Sequence, residues 1–151
     1  MEKIFEIITT TRNNFLKLVD SLTIEQLNKI PEGYNNNIAW HFGHIIVSQQ
    51  TLCYVRAGLA EKMPMELIGK YKIGTKPEGF IDTAEIEILK GYLLSLIDVL
   101  KKDLSDNTFQ AYQPIKTSVG LDFNSIEEVI PYFMQHDSMH LGYAMAMKKI
   151  V

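Results

Sequence analysis

Apolar residues Ile4, Ile8, Phe15, Leu18, Val19 and Leu22 recur at spacings of three and four, with a polar gap at Thr11, so they line one face of a helix over roughly residues 2–21. Thr23 with Gln26 three residues later has the form of a capping box, which predicts a short helical piece before the turn at Pro31-Glu32-Gly33. Asn35, Asn36 and Asn37 bring amides that can satisfy the free N–H groups of a second long helix, from about Ile38 to Arg56 and ending near Gly58. From Leu59 to Ile81 the chain holds Pro64, Gly69, Gly74, Pro77 and Gly79 without a sustained period, which predicts a long connection. Asp82, with Glu85 three residues on, caps a third helix over roughly 83–103 whose stripe is Ile86, Leu89, Leu93, Leu96, Ile97 and Leu100. A second long connection, about Leu104 to Phe123, alternates between Ile115 and Phe123 in a way that fits a small hairpin. Asn124 or Ser125, ahead of Glu127 and Glu128, caps a last helix to about Lys149, with Pro131 expected to kink its first turns.

Four helices of about twenty residues, each about 30 Å long, predict an all-α four-helix bundle. The connection between the second and third long helices is far longer than the two to eight residues usual between antiparallel neighbours, and it is long enough to cross back along a whole helix. These two helices are therefore expected to run parallel, giving an up-down-down-up order. No repeat, low-complexity tract or flexible linker divides the 151 residues, so residues 1–151 are read as one domain.

The composition, 46% hydrophobic and 22% charged, is that of a globular domain. Fifteen Lys and Arg against 18 Asp and Glu give a net charge of −3, and no basic run exceeds Lys101-Lys102 or Lys148-Lys149. Nucleic acid is thereby disfavoured as a partner, because binding it needs a concentrated positive surface. No apolar stretch approaches the roughly 20 residues of a membrane span. The start, Met1 to Glu6, puts acids where a secretory signal has a basic patch, and the one cysteine, Cys53, has no internal partner; both lead to a cytoplasmic expectation. Cys53 is read as a small core residue and not as a nucleophile.

Histidine carries the chemistry. All four fall in two short segments, His41 and His44 on the second long helix and His136 and His140 on the last. His136 and His140 are one turn apart and continue the apolar row Ile126, Val129, Ile130, Phe133, Ala144, Met147, so both rings are expected to face the bundle interior. Two unpaired buried imidazoles would cost about 1–3 kcal/mol each, and one divalent ion on their neutral nitrogens removes that penalty. His44, on the face of Trp40, Val47 and Thr51, is the choice for a third ligand. His41 lies about 60° around the helix from that face and stays open as peripheral, as an orienting neighbour, or as a fourth ligand. Asp137 points about 100° away from His136 and is read as an exposed carboxylate or as a group orienting a ligand from behind. Gly43 and Gly142 beside the histidines suggest close approach of the two helices or room for a ligand. Paired inward glutamates of the di-iron type are missing. Tyr54, Tyr92, Tyr143 and the methionines read as core or interface filler. Lys70, Lys72 and Lys76 in the first long connection read as a solvated loop, with a lid for an anionic substrate as the other reading.

The run Asn35 to Ile45, Asn-Asn-Asn-Ile-Ala-Trp-His-Phe-Gly-His-Ile, together with His136-x-x-x-His140-x-Gly142, resembles the DinB/YfiT-like superfamily of metal-dependent enzymes. The resemblance extends over essentially the whole chain, although only these two segments are specific. It implies an up-down-down-up bundle, a homodimer, and a three-histidine site for zinc, nickel or a related ion, with the ligands falling on His44, His136 and His140 and none at position 41. It also implies, as activities, thiol transfer with bacillithiol, mycothiol or glutathione, maleylpyruvate isomerisation, or hydrolysis. The expectation is a metal-dependent hydrolase or thiol transferase acting on a small molecule, with a low-molecular-weight thiol as co-substrate. The rival is a non-catalytic metal-binding or structural bundle, or a dimerisation module.

Overall fold

The computed structural model describes residues 1–117 and 119–151. In chain order they form α1 (Glu2–Asp20), α2 (Ile24–Asn28), α3 (Ile38–Gln49) continued by a π-helical segment (Gln50–Val55), α4 (Met65–Tyr71), α5 (Thr83–Ser105), β1 (Ile115–Lys116), β2 (Asp122–Phe123) and α6 (Ile126–Met147).

The helix starts are set by side chains that satisfy N–H groups the helix itself leaves unpaired. Thr23 and Gln26 form the reciprocal box, Gln26 N–H to Thr23 Oγ1 at 3.2 Å and Thr23 N–H to Gln26 Oε1 at 3.0 Å. Of the three asparagines it is Asn37 that caps α3, accepting from Trp40 N–H at 2.8 Å. Asp82 caps α5 and Ser125 caps α6. The hairpin pairs Ile115 with Phe123 and Lys116 with Asp122, and Gly120 between the strands takes a positive φ of 85°. Pro131 lies in the second turn of α6, and the helix continues through it to Met147.

Two features differ from the sequence reading. The first long connection contains α4, a helix of seven residues whose buried side chains, Ile68 and Tyr71, are a single i, i+3 pair. One such pair is too short to register as a period. The second long helix changes to π geometry after Gln49 before ending at Gly58, which has φ 72°.

The apolar side chains separate into two clusters. In one, Phe15 and Val19 of α1 meet Ile38 and Phe42 of α3, Leu89 of α5 and Ala144 and Met147 of α6. In the other, Phe5 and Ile8 of α1 meet Cys53 and Tyr54, Ile97 and Leu100 of α5, and Val129 and Phe133 of α6. At the level between them lies Arg12, fully buried, which donates from Nε to Asp137 Oδ2 (2.8 Å), from Nη1 to Gln49 Oε1 (2.7 Å) and Leu93 O (3.0 Å), and from Nη2 to Ile45 O (3.2 Å). One guanidinium thus ties α1 to α3, α5 and α6. A charge survives there only because its donors are used and a carboxylate faces it. Among the described residues no helix is long and apolar enough to cross a membrane.

Candidate metal centre

Every residue of α3 from Ile38 to Gln49 is buried, so the helix runs through the interior and carries His41 and His44 in with it. On α6 the buried row includes His136, Asp137 and His140. The two helices pack against each other. One ring nitrogen from each of His44, His136 and His140 lies within 4.8 Å of the others. The ring centroids are 5.3 Å apart for His44 and His136, 4.7 Å for His44 and His140, and 4.6 Å for His136 and His140.

The other nitrogen of each ring is engaged. His44 Nδ1 is 2.7 Å from the carbonyl of Tyr71, which can only accept, so this nitrogen carries the proton and Nε2 presents a lone pair. Ser48 Oγ, one turn on, lies 3.2 Å from that Nε2. His140 Nδ1 is 2.8 Å from His41 Nδ1, two nitrogens that share one proton. His136 Nδ1 faces Asp137 Oδ1 at 3.4 Å, and the far oxygen of that carboxylate is held by Arg12. With the Nδ1 atoms of three buried rings occupied from behind, the Nε2 atoms remain as the candidate ligands for one ion, which on His44 would displace the Ser48 hydroxyl; this is the arrangement in which a neighbour fixes the tautomer of a metal-ligating histidine.

Burial also sets the charge state. It lowers His44 to about 4, against a smaller opposing pull from the Tyr71 carbonyl, and lowers His41 to about 4. Burial and then the neighbouring imidazoles lower His140 to about 2. These rings are neutral at pH 7, as ligands must be. The donor set fits a borderline divalent ion such as zinc or nickel.

The residues picked out in the sequence are thus brought together in two layers. His44, His136 and His140 form the cluster, and His41 and Asp137 stand behind it. The group of ring nitrogens within 4.8 Å of one another comprises those three, while His41 has its Nδ1 2.8 Å from that of His140, and Asp137 is wholly buried rather than exposed. Gly43 does not serve an approach of α3 to α6: a Cβ there would lie 2.5 Å from the Tyr71 ring of α4, while one at Gly142 would meet nothing within 4 Å. Tyr143 is not core filler, because half of it is exposed and its ring stands 5.5 Å from His41 in the wall of a chamber. That chamber, about 720 Å³, opens on all four histidines and is walled by Tyr34, Trp40, Tyr132 and Met139. Trp40 stacks on His44 with centroids 4.5 Å apart and planes 12° from parallel. Cys53 is fully buried and its thiol is pushed up by that burial, which removes it as a nucleophile.

Arg12, Ser48, Gln49 and Tyr71 were missed. Arg12 had a signal: it sits four after Ile8 and three before Phe15, on the apolar stripe itself, where a charge demands a partner. Tyr71 had none, since its backbone carbonyl does the work.

A comparison with curated proteins finds no match. The buried cluster of His44, His136 and His140 fits a metal-binding protein, and the family model for the DinB superfamily matches residues 7–144, so the chain belongs to the DinB superfamily.

Proposed function

We propose that the protein is a metal-dependent enzyme acting on a small molecule, by hydrolysis or by transfer of a low-molecular-weight thiol, with His44, His136 and His140 holding one zinc or nickel ion. The observation that carries this reading is the convergence of three buried imidazoles on the wall of an open chamber of about 720 Å³. When bound, such an ion supplies Lewis acidity toward an oxygen or sulfur group. The chain's residues do the rest. Trp40 stacks on the His44 ring, Tyr71 and Asp137 hold two rings in register, and His41 Nδ1 accepts from His140 Nδ1, which leaves the His140 Nε2 lone pair for an ion. A closed structural site is less well supported, because the fourth histidine bonds to the back of His140 and the chamber reaches the cluster.

The same reading takes residues 1–151 as one domain of up-down-down-up order. Its support is that the start of α1 shares a cluster with the ends of α3 and α5 and the start of α6, while the end of α1 shares the other with the reverse set. A homodimer is proposed in keeping with exposed Met139, Tyr143, Met145 and Ile150 on and after α6, and a reducing, cytoplasmic setting in keeping with a single buried thiol. Elemental analysis after purification without chelator is expected to give about one equivalent of zinc or nickel per chain. In His140→Ala the content falls at least tenfold, and turnover of electrophilic or ester substrates with glutathione or bacillithiol falls with it. Wild-type protein that takes up no ion from excess zinc or nickel refutes the reading.

A further inference from the structure

Beside the chamber lies a second cavity of about 270 Å³, and the two share His44, Ile73, Tyr132 and His136 in their walls. The histidine cluster therefore sits at a junction, with a different environment on each side. The chamber is aromatic and amide-lined. The smaller cavity is cationic: Arg56 just after the π-helical segment, Lys72 just after α4 and Lys116 of β1 all line it, and no carboxylate does among the described residues.

This charge is uncompensated. Lys3, Lys62, Lys70, Lys90, Lys101 and Lys102 each pair with an acid, and Lys70 in particular is held by Glu85 at 2.5 Å. Among the described residues Arg56, Lys72 and Lys116 form no such pair. Lys17, Lys148 and Lys149 are likewise without an acid partner among the described residues and line a surface cavity, but Arg56, Lys72 and Lys116 come from three separate elements and meet at the cavity that also touches His44 and His136, where a charge can act on a bound molecule. Like charges gathered against a low-dielectric wall repel, and an anion between them relieves the repulsion. The remaining wall is apolar, from Leu52, Ile73 and Ile115. Of the hydroxyls there, Thr51 donates to the Val47 carbonyl, Thr117 to that of Leu121 and Ser48 faces His44 Nε2, which leaves Tyr132 as a neutral donor beside the cations. Charge recognition falls to the cations, and the half-buried Arg56, with its planar fork of donors, suits two oxygens at once.

We propose that this second cavity is a subsite for a carboxylate or phosphate carried by the substrate, so that the molecule handled at the histidines is a short organic acid or phosphate ester anchored by Arg56. The substrate assignment rests on the enzymatic reading above, but anion binding itself does not need the metal.

The test is calorimetric titration of the full chain, zinc-loaded and metal-free, with succinate and with inorganic phosphate at low ionic strength. Wild type is expected to bind at least one probe one-to-one in both forms, with affinity falling as salt is raised. Arg56→Gln weakens that probe about tenfold or more, Arg56→Lys retains part of the affinity, and Lys76→Gln, whose side chain lines a different cavity, leaves it unchanged. The probe that binds more tightly assigns carboxylate or phosphate. Failure of wild type to bind either probe overturns the proposal, as does equal affinity in Arg56→Gln. Binding that requires zinc and ignores Arg56 places the anion on the ion, which overturns the subsite and leaves the metal reading standing. Binding that depends on Arg56 in a protein that never takes up metal upholds the subsite and ends the metal reading.

Discussion

A guanidinium at the centre of a helical bundle has a large desolvation cost, and Arg12 offsets it with four hydrogen bonds that reach three other helices. Replacing it with methionine leaves Asp137 as a buried, unpaired carboxylate, and urea denaturation is expected to show a loss of about 3–5 kcal/mol. Arg12→Met combined with Asp137→Leu should recover much of this stability yet bind metal about 10–100-fold more weakly than wild type, because His136 then lacks its partner at Nδ1. A double variant with wild-type metal affinity would show that Asp137 serves packing alone. The buried imidazoles give a second residue-level prediction. In the unfolded chain they protonate near 6.5, whereas in the fold His41 and His44 resist protonation until about 4 and His140 until about 2. Below pH 6.5 the unfolded chain therefore holds protons that the fold does not, so acidification favours unfolding. Denaturation of the metal-free protein should show stability falling as pH drops from 6.5 toward 4, by up to about 1.4 kcal/mol per pH unit for each group. Constant stability across that window would mean that the rings are solvated.

What was readable at the level of elements was whatever is local. The Thr23 and Asp82 caps, the α5 stripe and the inward row of His136 and His140 depend on side chains within one or two turns of each other, and spacing alone reveals them. The π-helical segment after Gln49 is a change of hydrogen-bond register, which side-chain period does not encode, and α4 is too short to have a period. The role of Gly43 is tertiary and so was misassigned: its missing side chain admits the Tyr71 ring, whose hydroxyl bonds Glu85 and whose carbonyl holds His44. Gly43→Ala is expected to destabilise by about 1–3 kcal/mol through overpacking and, by displacing that carbonyl, to weaken metal binding as well. Gly142→Ala is the contrast, since its Cβ meets nothing and alanine favours a helix interior by up to about 1 kcal/mol. Thermal melts and metal titrations of the two variants should therefore move in opposite directions in stability, and only Gly43→Ala should lose affinity.

At the scale of the molecule, the histidine cluster joins α3 to α6 at the level where Arg12 already joins all four long helices, between two apolar clusters that hold the bundle on either side. An ion bound there adds a cross-link that the unfolded chain cannot reproduce, because the ligands come from positions 44, 136 and 140, far apart in sequence. Its effect on stability is then set by mass action: at a free metal concentration 1,000 times the dissociation constant the fold gains about 4 kcal/mol. For a domain of this size that corresponds to a rise in Tm on the order of 10 °C. The gain is global, yet its local signature differs among helices. Amides of α3 and α6 near the cluster should gain hydrogen-exchange protection with zinc beyond that of α1, whose ties run through Arg12 and are present without metal. In His140→Ala the zinc-dependent rise in Tm should largely vanish and the protection of α3 and α6 should no longer respond to zinc. A zinc-induced rise that survives His140→Ala in full would place the ion elsewhere on the chain.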